Sequence, residues 1–309
     1  MKISLYLIVG LVVGLFFPAL FDNCAGLIRQ VALVVILMRV GLALDFAALR
    51  KSGRAALLLS FLPASFEIVG MVIIAPLIFG VSLAEAALLG CIVAAVSPAV
   101  VVPRMLRLSE LYNGRGGARV AQVVMAAGSF DDLFVILLFS GAMALAQGSG
   151  FDSSLLVGLL SSLFFGLFVS IAILRRNERV AATSKKVLNW LWLIFEPLLF
   201  ISVAAQVDLR YAVGVGAIVV AALAFVMVWR MVGAYAATSG GGFTARERVF
   251  CMIAYTPKAT VQAAIGALPL AAGLACGELA LSMAVTAILI TAPFGALAID
   301  ISAPKLLEN

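Results

Sequence analysis

Apolar runs of near membrane-crossing length follow one another along the chain, separated by short polar or basic breaks. A helix that crosses a bilayer needs about 20 mostly apolar residues. Ten such spans lie at roughly 3–21, 25–44, 55–80, 84–105, 119–147, 152–174, 187–207, 210–237, 247–271 and 277–299. The first, third, sixth, eighth and tenth are the clearest. The second is weakened by Arg29 and Arg39, and the seventh by Glu196 and Pro197. The alternating segments of a membrane β-barrel, about ten residues each, are absent. The expected fold is an all-α polytopic membrane protein.

Composition agrees. Of 309 residues, 64% are hydrophobic and 12% charged, about half the charged share of a soluble domain. Histidine is absent, which argues against zinc hydrolase and haem chemistry. The four cysteines, Cys24, Cys91, Cys251 and Cys276, have no CxxC spacing, and the three in apolar segments read as small buried hydrophobes. Lys2 and the uncharged run to Phe21 also fit a secretory signal, but no small-residue cleavage site follows. They are read as a first membrane helix.

The basic residues orient the spans. With the N-terminus inside, the inner segments collect Lys2, then Arg50, Lys51 and Arg54, then Arg104, Arg107, Arg115 and Arg119. They continue with Arg175, Arg176, Arg179, Lys185 and Lys186, then Arg246, Arg248 and Lys305. That is 16 of the 21 basic residues, with Arg210 alone outside and Arg29, Arg39, Arg230 and Lys258 within spans. Positive charge stays inside, so an even number of spans with both termini cytoplasmic is expected. A bacterial inner membrane is the expected location.

The two halves echo each other. Asp45 is followed 22 residues later by Glu67 in span three, and Asp208 is followed 22 residues later by Arg230 in span eight. Span four carries Ser97-Pro98 and span nine carries Thr256-Pro257. By parity, span three runs outward and span eight inward. This is a five-plus-five inverted repeat, the architecture of many secondary transporters. Residues 1–147 form the first repeat with spans one to five. Residues 148–186 hold span six and a basic loop, and 187–309 form the second repeat with spans seven to ten. A core transport domain is expected from 54–147 and 210–299.

Chemistry concentrates in a few intramembrane polar residues. Asp131 and Asp132 sit side by side in span five. A carboxylate at the bilayer centre is costly and marks an ion or proton path by default. The two lie about 100° apart around a helix, so one can bind cargo while the other holds a basic partner. Pro98 and Pro257 each remove a helix hydrogen bond. At matching repeat positions they point to discontinuous helices, with the hydroxyls of Ser97 and Thr256 at the breaks. Glu67 occupies the position equivalent to Arg230, and the two are expected to pair. Lys258 directly follows the second break. It would neutralise the negative ends of the broken helices or pair with Asp131.

The stretches VAAVSPAVVVPRML, MAAGSFDDL, FEPLLF and AYTPKATVQAAIGAL resemble the cation:proton antiporter superfamily, and within it the NHA-type sodium/proton antiporters, over nearly the whole chain. The resemblance implies that Asp132 binds the cation and the proton in competition, with Asp131 beside it. It implies two broken helices crossing at the site and a mobile core moving against a dimerising scaffold, hence a homodimer. It also implies a buried basic residue at Arg230 able to pair with a glutamate at Glu67. The chain departs from the family in two places. Roughly two expected helices are missing between the basic loop at 175–186 and FEPLLF. Glu196 and Gln206 stand where glutamine and glutamate are expected.

The function expected is therefore a secondary antiporter, not an enzyme, exchanging Na⁺ or Li⁺ for H⁺ at Asp132 by alternating access. Asp131, Ser97 and Thr256 help to hold the cation, Asp131 and Asp132 being its carboxylate ligands. No cofactor is expected, only the transported ions, and no nucleic acid. The alternatives are a sodium-coupled organic-anion symporter of related fold and an inactive, helix-depleted antiporter homologue. An intramembrane aspartyl protease needs two facing carboxylates sharing a proton, and neighbours on one helix point apart.

Overall fold

A computed structural model describes residues 2–21, 23–43, 46–112, 116–148 and 178–308. All regular structure among them is helical. In chain order the helices are α1 (Lys2–Phe16), α2 (Ala25–Ala43), α3 (Phe46–Leu59), α4 (Leu62–Phe79), α5 (Leu83–Ala94), α6 (Pro98–Leu111) and α7 (Gly116–Ala146). Next come α8 (Glu178–Ala205), α9 (Leu209–Ala237), α10 (Ala245–Ala254), α11 (Thr260–Ile265), α12 (Leu268–Ala271) and α13 (Gly277–Leu307). Six stretches among the described residues are long and apolar enough to cross a membrane, and Lys2–Phe16 and Thr260–Ala271 form shorter apolar helices. Span six and Asp45 lie outside the described residues.

Local sequence explains where the helices begin. Ser82 and Glu85 form a capping box at α5, and Thr244 and Glu247 form another at α10. Each joins two otherwise orphan backbone donors to side chains. Asp208 caps α9 by accepting from the amides of Arg210 and Tyr211. The expected span three falls in one apolar stretch, Ser52–Phe79, with a turn at Ser60–Phe61 between α3 and α4. The weak seventh span is a continuous helix in which Pro197 is accommodated. The tenth is longer than the apolar run suggests, reaching Leu307.

Close glycine contacts fix helix directions. A Cβ on Gly10 would meet the Ile201 carbonyl at 2.5 Å, and one on Gly14 the Ala205 carbonyl at 2.4 Å. The partner number rises with the α1 number, so α1 and α8 run parallel in near backbone contact. A Cβ on Gly70 would meet Trp229, and one on Gly233 would meet Leu62 and Pro63. Here the partner number falls, so α4 and α9 are antiparallel. Spans one and seven are both odd, while three and eight differ in parity. Alternate crossing gives both results.

Beyond these pairs, α2 packs on α8, α5 on α4 and α7, α6 and α3 on α7, and α13 on α10 and α9. Buried apolar side chains form two clusters. One holds Ile92, Val135, Phe139 and Ile288, the other Leu59, Val124, Phe250 and Ile299. Along α7, the aspartates fall between Ala127 of one cluster and Val135 of the other.

Candidate functional site

Both proline breaks are chain interruptions. Between α5 and α6, residues Ala95–Ser97 leave the helix, with extended dihedrals at Ala95 and Ser97. Between α10 and α11 the interruption is Tyr255–Ala259. The two segments touch: the Ser97 amide donates to the Pro257 carbonyl at 2.8 Å, and the Gln262 side-chain amide donates to the Ala95 carbonyl at 2.8 Å. Broken helices leave carbonyls without internal partners, which a membrane interior tolerates only if protein groups satisfy them.

Arg230 satisfies two of them. From α9 it donates to the carbonyl of Ala94, the last residue of α5, and to that of Tyr255, which closes α10. One guanidinium thus meets the negative ends of both half-helices. That role was one of two expected of Lys258. Instead, its ammonium pairs with Glu67 at 2.8 Å, while its amide donates to Thr291 Oγ1 at 3.0 Å.

The charges form a chain. Arg230 Nη1 lies 2.9 Å from Glu67 Oε2, and Nη2 lies 3.3 Å from Asp131 Oδ2. Asp131 Oδ2 also accepts the Val96 amide at 2.8 Å, tying the middle of α7 to the first break. Glu67, Asp131, Asp132, Arg230 and Lys258 are all fully buried. Two carboxylates and two cations are therefore joined in one network.

Asp132 stands outside that network. Turned about 100° from Asp131, it lines a cavity of about 670 Å³, and neither of its buried oxygens has a hydrogen-bond partner. Pro98 of α6, Ser129 of α7 and Thr260 of α11 share its wall. Further lining residues come from α2 and α8, among them Arg39, Lys185, Trp192 and Glu196. Lys185, Trp192 and Glu196 follow at helical spacing and mark one face of α8.

Ser97 is fully buried with its hydroxyl unpartnered. The Thr256 hydroxyl donates to the Ile253 carbonyl at 2.8 Å, and a Cβ on Gly295 would meet it at 2.9 Å. Neither belongs to the cavity wall beside Asp132, where the hydroxyl residues are Ser129 and Thr260. Sequence reasoning missed this pair. Ser129 sits three residues before Asp132, on the same helix face, and that spacing was a usable signal. Thr260 and Gln262 become visible only once the second break is seen to end at Ala259.

A family model described as "Sodium/hydrogen exchanger, transmembrane" matches residues 2–177 and 158–301. The chain belongs to the transmembrane sodium/hydrogen exchanger family. Among family relatives, sodium/hydrogen exchanger 9B2 of Xenopus tropicalis is 31% identical over 349 aligned positions, covering 91% of this chain. The mouse (Mus musculus) 9B2 protein is 30% identical, with the same 91% covered. The chain spans only 64% and 63% of the length of those two relatives. The first alignment is longer than the 309 residues here, so the relative carries segments this exchanger-family chain lacks. The solved structure of the sodium proton antiporter MjNhaP1 from Methanocaldococcus jannaschii superposes with a TM-score of 0.78 over 99% of this chain and 92% of that one, at 16% identity. The all-helical membrane fold is thus shared with a solved antiporter.

Proposed function

We propose that this family member is a sodium (or lithium)/proton antiporter in which H⁺ and the cation compete for Asp132. One observation carries the reading: a fully buried carboxylate, free of partners on both oxygens, faces a cavity walled by two hydroxyl residues. Protonation makes Asp132 neutral. Deprotonated, it is an anion that needs a counter-charge in a site sparing in water. A partly dehydrated monovalent cation supplies one, with further oxygens from Ser129, Thr260 and main-chain carbonyls. The empty ionised form is penalised, so only the loaded forms reorient, and competition alone couples the two fluxes.

Charge counting supports one-for-one exchange. Glu67 and Asp131 are matched by Arg230 and Lys258, so ionised Asp132 is the one unbalanced charge among these five buried groups. One proton or one monovalent cation neutralises it. Alternating access would come from α3–α7 and α9–α13 moving as a core against a scaffold of α1, α2 and α8. Homodimerisation through that scaffold, a bacterial plasma-membrane location and cytoplasmic termini belong to the same proposal, the last supported by the inward excess of basic residues.

The test is a pH-dye assay in everted vesicles, with Na⁺, Li⁺ or K⁺ added in turn. Dequenching by Na⁺ or Li⁺ that disappears in Asp132→Asn is the expected result. Exchange retained in Asp132→Asn would overturn the competition mechanism. Absence of exchange in the unaltered chain would favour an inactive, shortened homologue, a reading motivated by the segments missing relative to 9B2.

A further inference from the structure

The cavity holds a second carboxylate that the competition at Asp132 does not use. Glu196 lines the same cavity as Asp132, from α8. Three helix turns separate it from Lys185, about 16 Å along the axis at 1.5 Å per residue. Its carboxylate feels the charges of Arg39 and Lys2 and stands one helix turn from Trp192 on the same face of α8. The Arg39 guanidinium is stacked over the same indole, 5.1 Å from the ring centroid. Trp192 itself is buried. The indole therefore holds the cation at the cavity wall one turn from the anion, and neither Arg39 nor Glu196 is in a direct ion pair among the described residues.

The balance of the cavity follows. Arg39 and Lys185 repel an approaching cation, while Asp132 and Glu196 attract it. With Asp132 ionised, the four charges cancel. Without Glu196 the wall would be net positive at the moment the cation must enter. Field lines in a low-dielectric cleft are focused along it, so one wall charge alters the local cation concentration without touching the cation.

Resting on the antiport reading above, we propose that Glu196 is an access-side carboxylate that draws monovalent cations towards Asp132. Arg39 tempers its charge and Trp192 positions Arg39. The charge at 196 sets cation affinity from the cavity side.

A double-mutant cycle tests this in proteoliposomes. Glu196→Gln should raise the apparent KM for Na⁺ from the cavity side about three- to tenfold, the size of one partly screened charge. Turnover at saturating Na⁺ should fall by less. Arg39→Gln should lower KM by a similar factor, and the double variant should return near the unaltered value. The differences should shrink as choline chloride raises the ionic strength, which a merely structural role would not produce. Radioactive-sodium binding to purified protein, with Asp132→Asn as the blank, should shift in the same order. If the unaltered chain exchanges or binds Na⁺ but Glu196→Gln leaves KM and affinity unchanged, the proposal is overturned while the antiport reading stands. Two single variants that both weaken binding, with no recovery in the double, overturn it equally. Absence of both exchange and binding in the unaltered chain overturns the antiport reading and this proposal with it.

Discussion

Glu67 receives both Arg230 and Lys258, so one side chain compensates two buried cations. Removing one partner of a buried ion pair costs far more than the pair contributes in net stability, because the survivor stays desolvated. Glu67→Ala should therefore destabilise the protein by about 3–5 kcal/mol, read as a lower thermal midpoint in detergent. Asp132→Asn removes a carboxylate with no partner and should leave the midpoint unchanged or raised. The opposite order would mean that Asp132, not Glu67, holds the buried charges together. The same contrast separates the adjacent aspartates: Asp131 is engaged by the Val96 amide and Arg230, and Asp132 is left to the cavity.

Among the helices, α1 and α8 depend on two glycines one turn apart. Gly10 and Gly14 let the backbones approach until any Cβ would strike the Ile201 and Ala205 carbonyls. Small residues at such spacing are the usual route to close helix contact in lipid. Gly10→Val should lower stability by about 1–3 kcal/mol through overpacking, measured by thermal unfolding in detergent. Gly214→Ala in α9 has open space around its Cβ and should be neutral or stabilising by up to about 1 kcal/mol, from helix propensity. Equal losses from both would refute the close-packing account. The broken helices obey different physics. Their freed carbonyls must be met, and Arg230 and Gln262 meet them from other segments.

For the whole molecule, the proposed antiport together with the balanced Glu67–Arg230–Lys258–Asp131 network predicts electroneutral exchange. Exchange rates in proteoliposomes should not change when a potassium diffusion potential of either sign is imposed, and a voltage-dependent rate would contradict the charge count. Proton competition fixes the sign of the pH effect. Each unit of acidification below the titration of Asp132 should raise the apparent KM for Na⁺ about tenfold, since one proton must leave for each cation bound. A slope near a hundredfold would mean that two protons leave.

Much of this was legible in the chain. The apolar runs marked the all-helical membrane class, because bilayer thickness acts on each segment separately. The matched prolines marked both interruptions, and charge cost marked Glu67, Asp131, Asp132, Arg230 and Lys258 as residues with work to do. Partnership was not legible beyond the repeat-based match of Glu67 with Arg230. Which aspartate faces the cavity, which cation reaches the broken helix ends, and that Glu196 shares a wall with Arg39 and Trp192 depend on helix rotation and crossing. Local sequence sets where a helix begins and ends, whereas its rotation is set by packing against segments far away in the chain, and only the folded molecule brings those together.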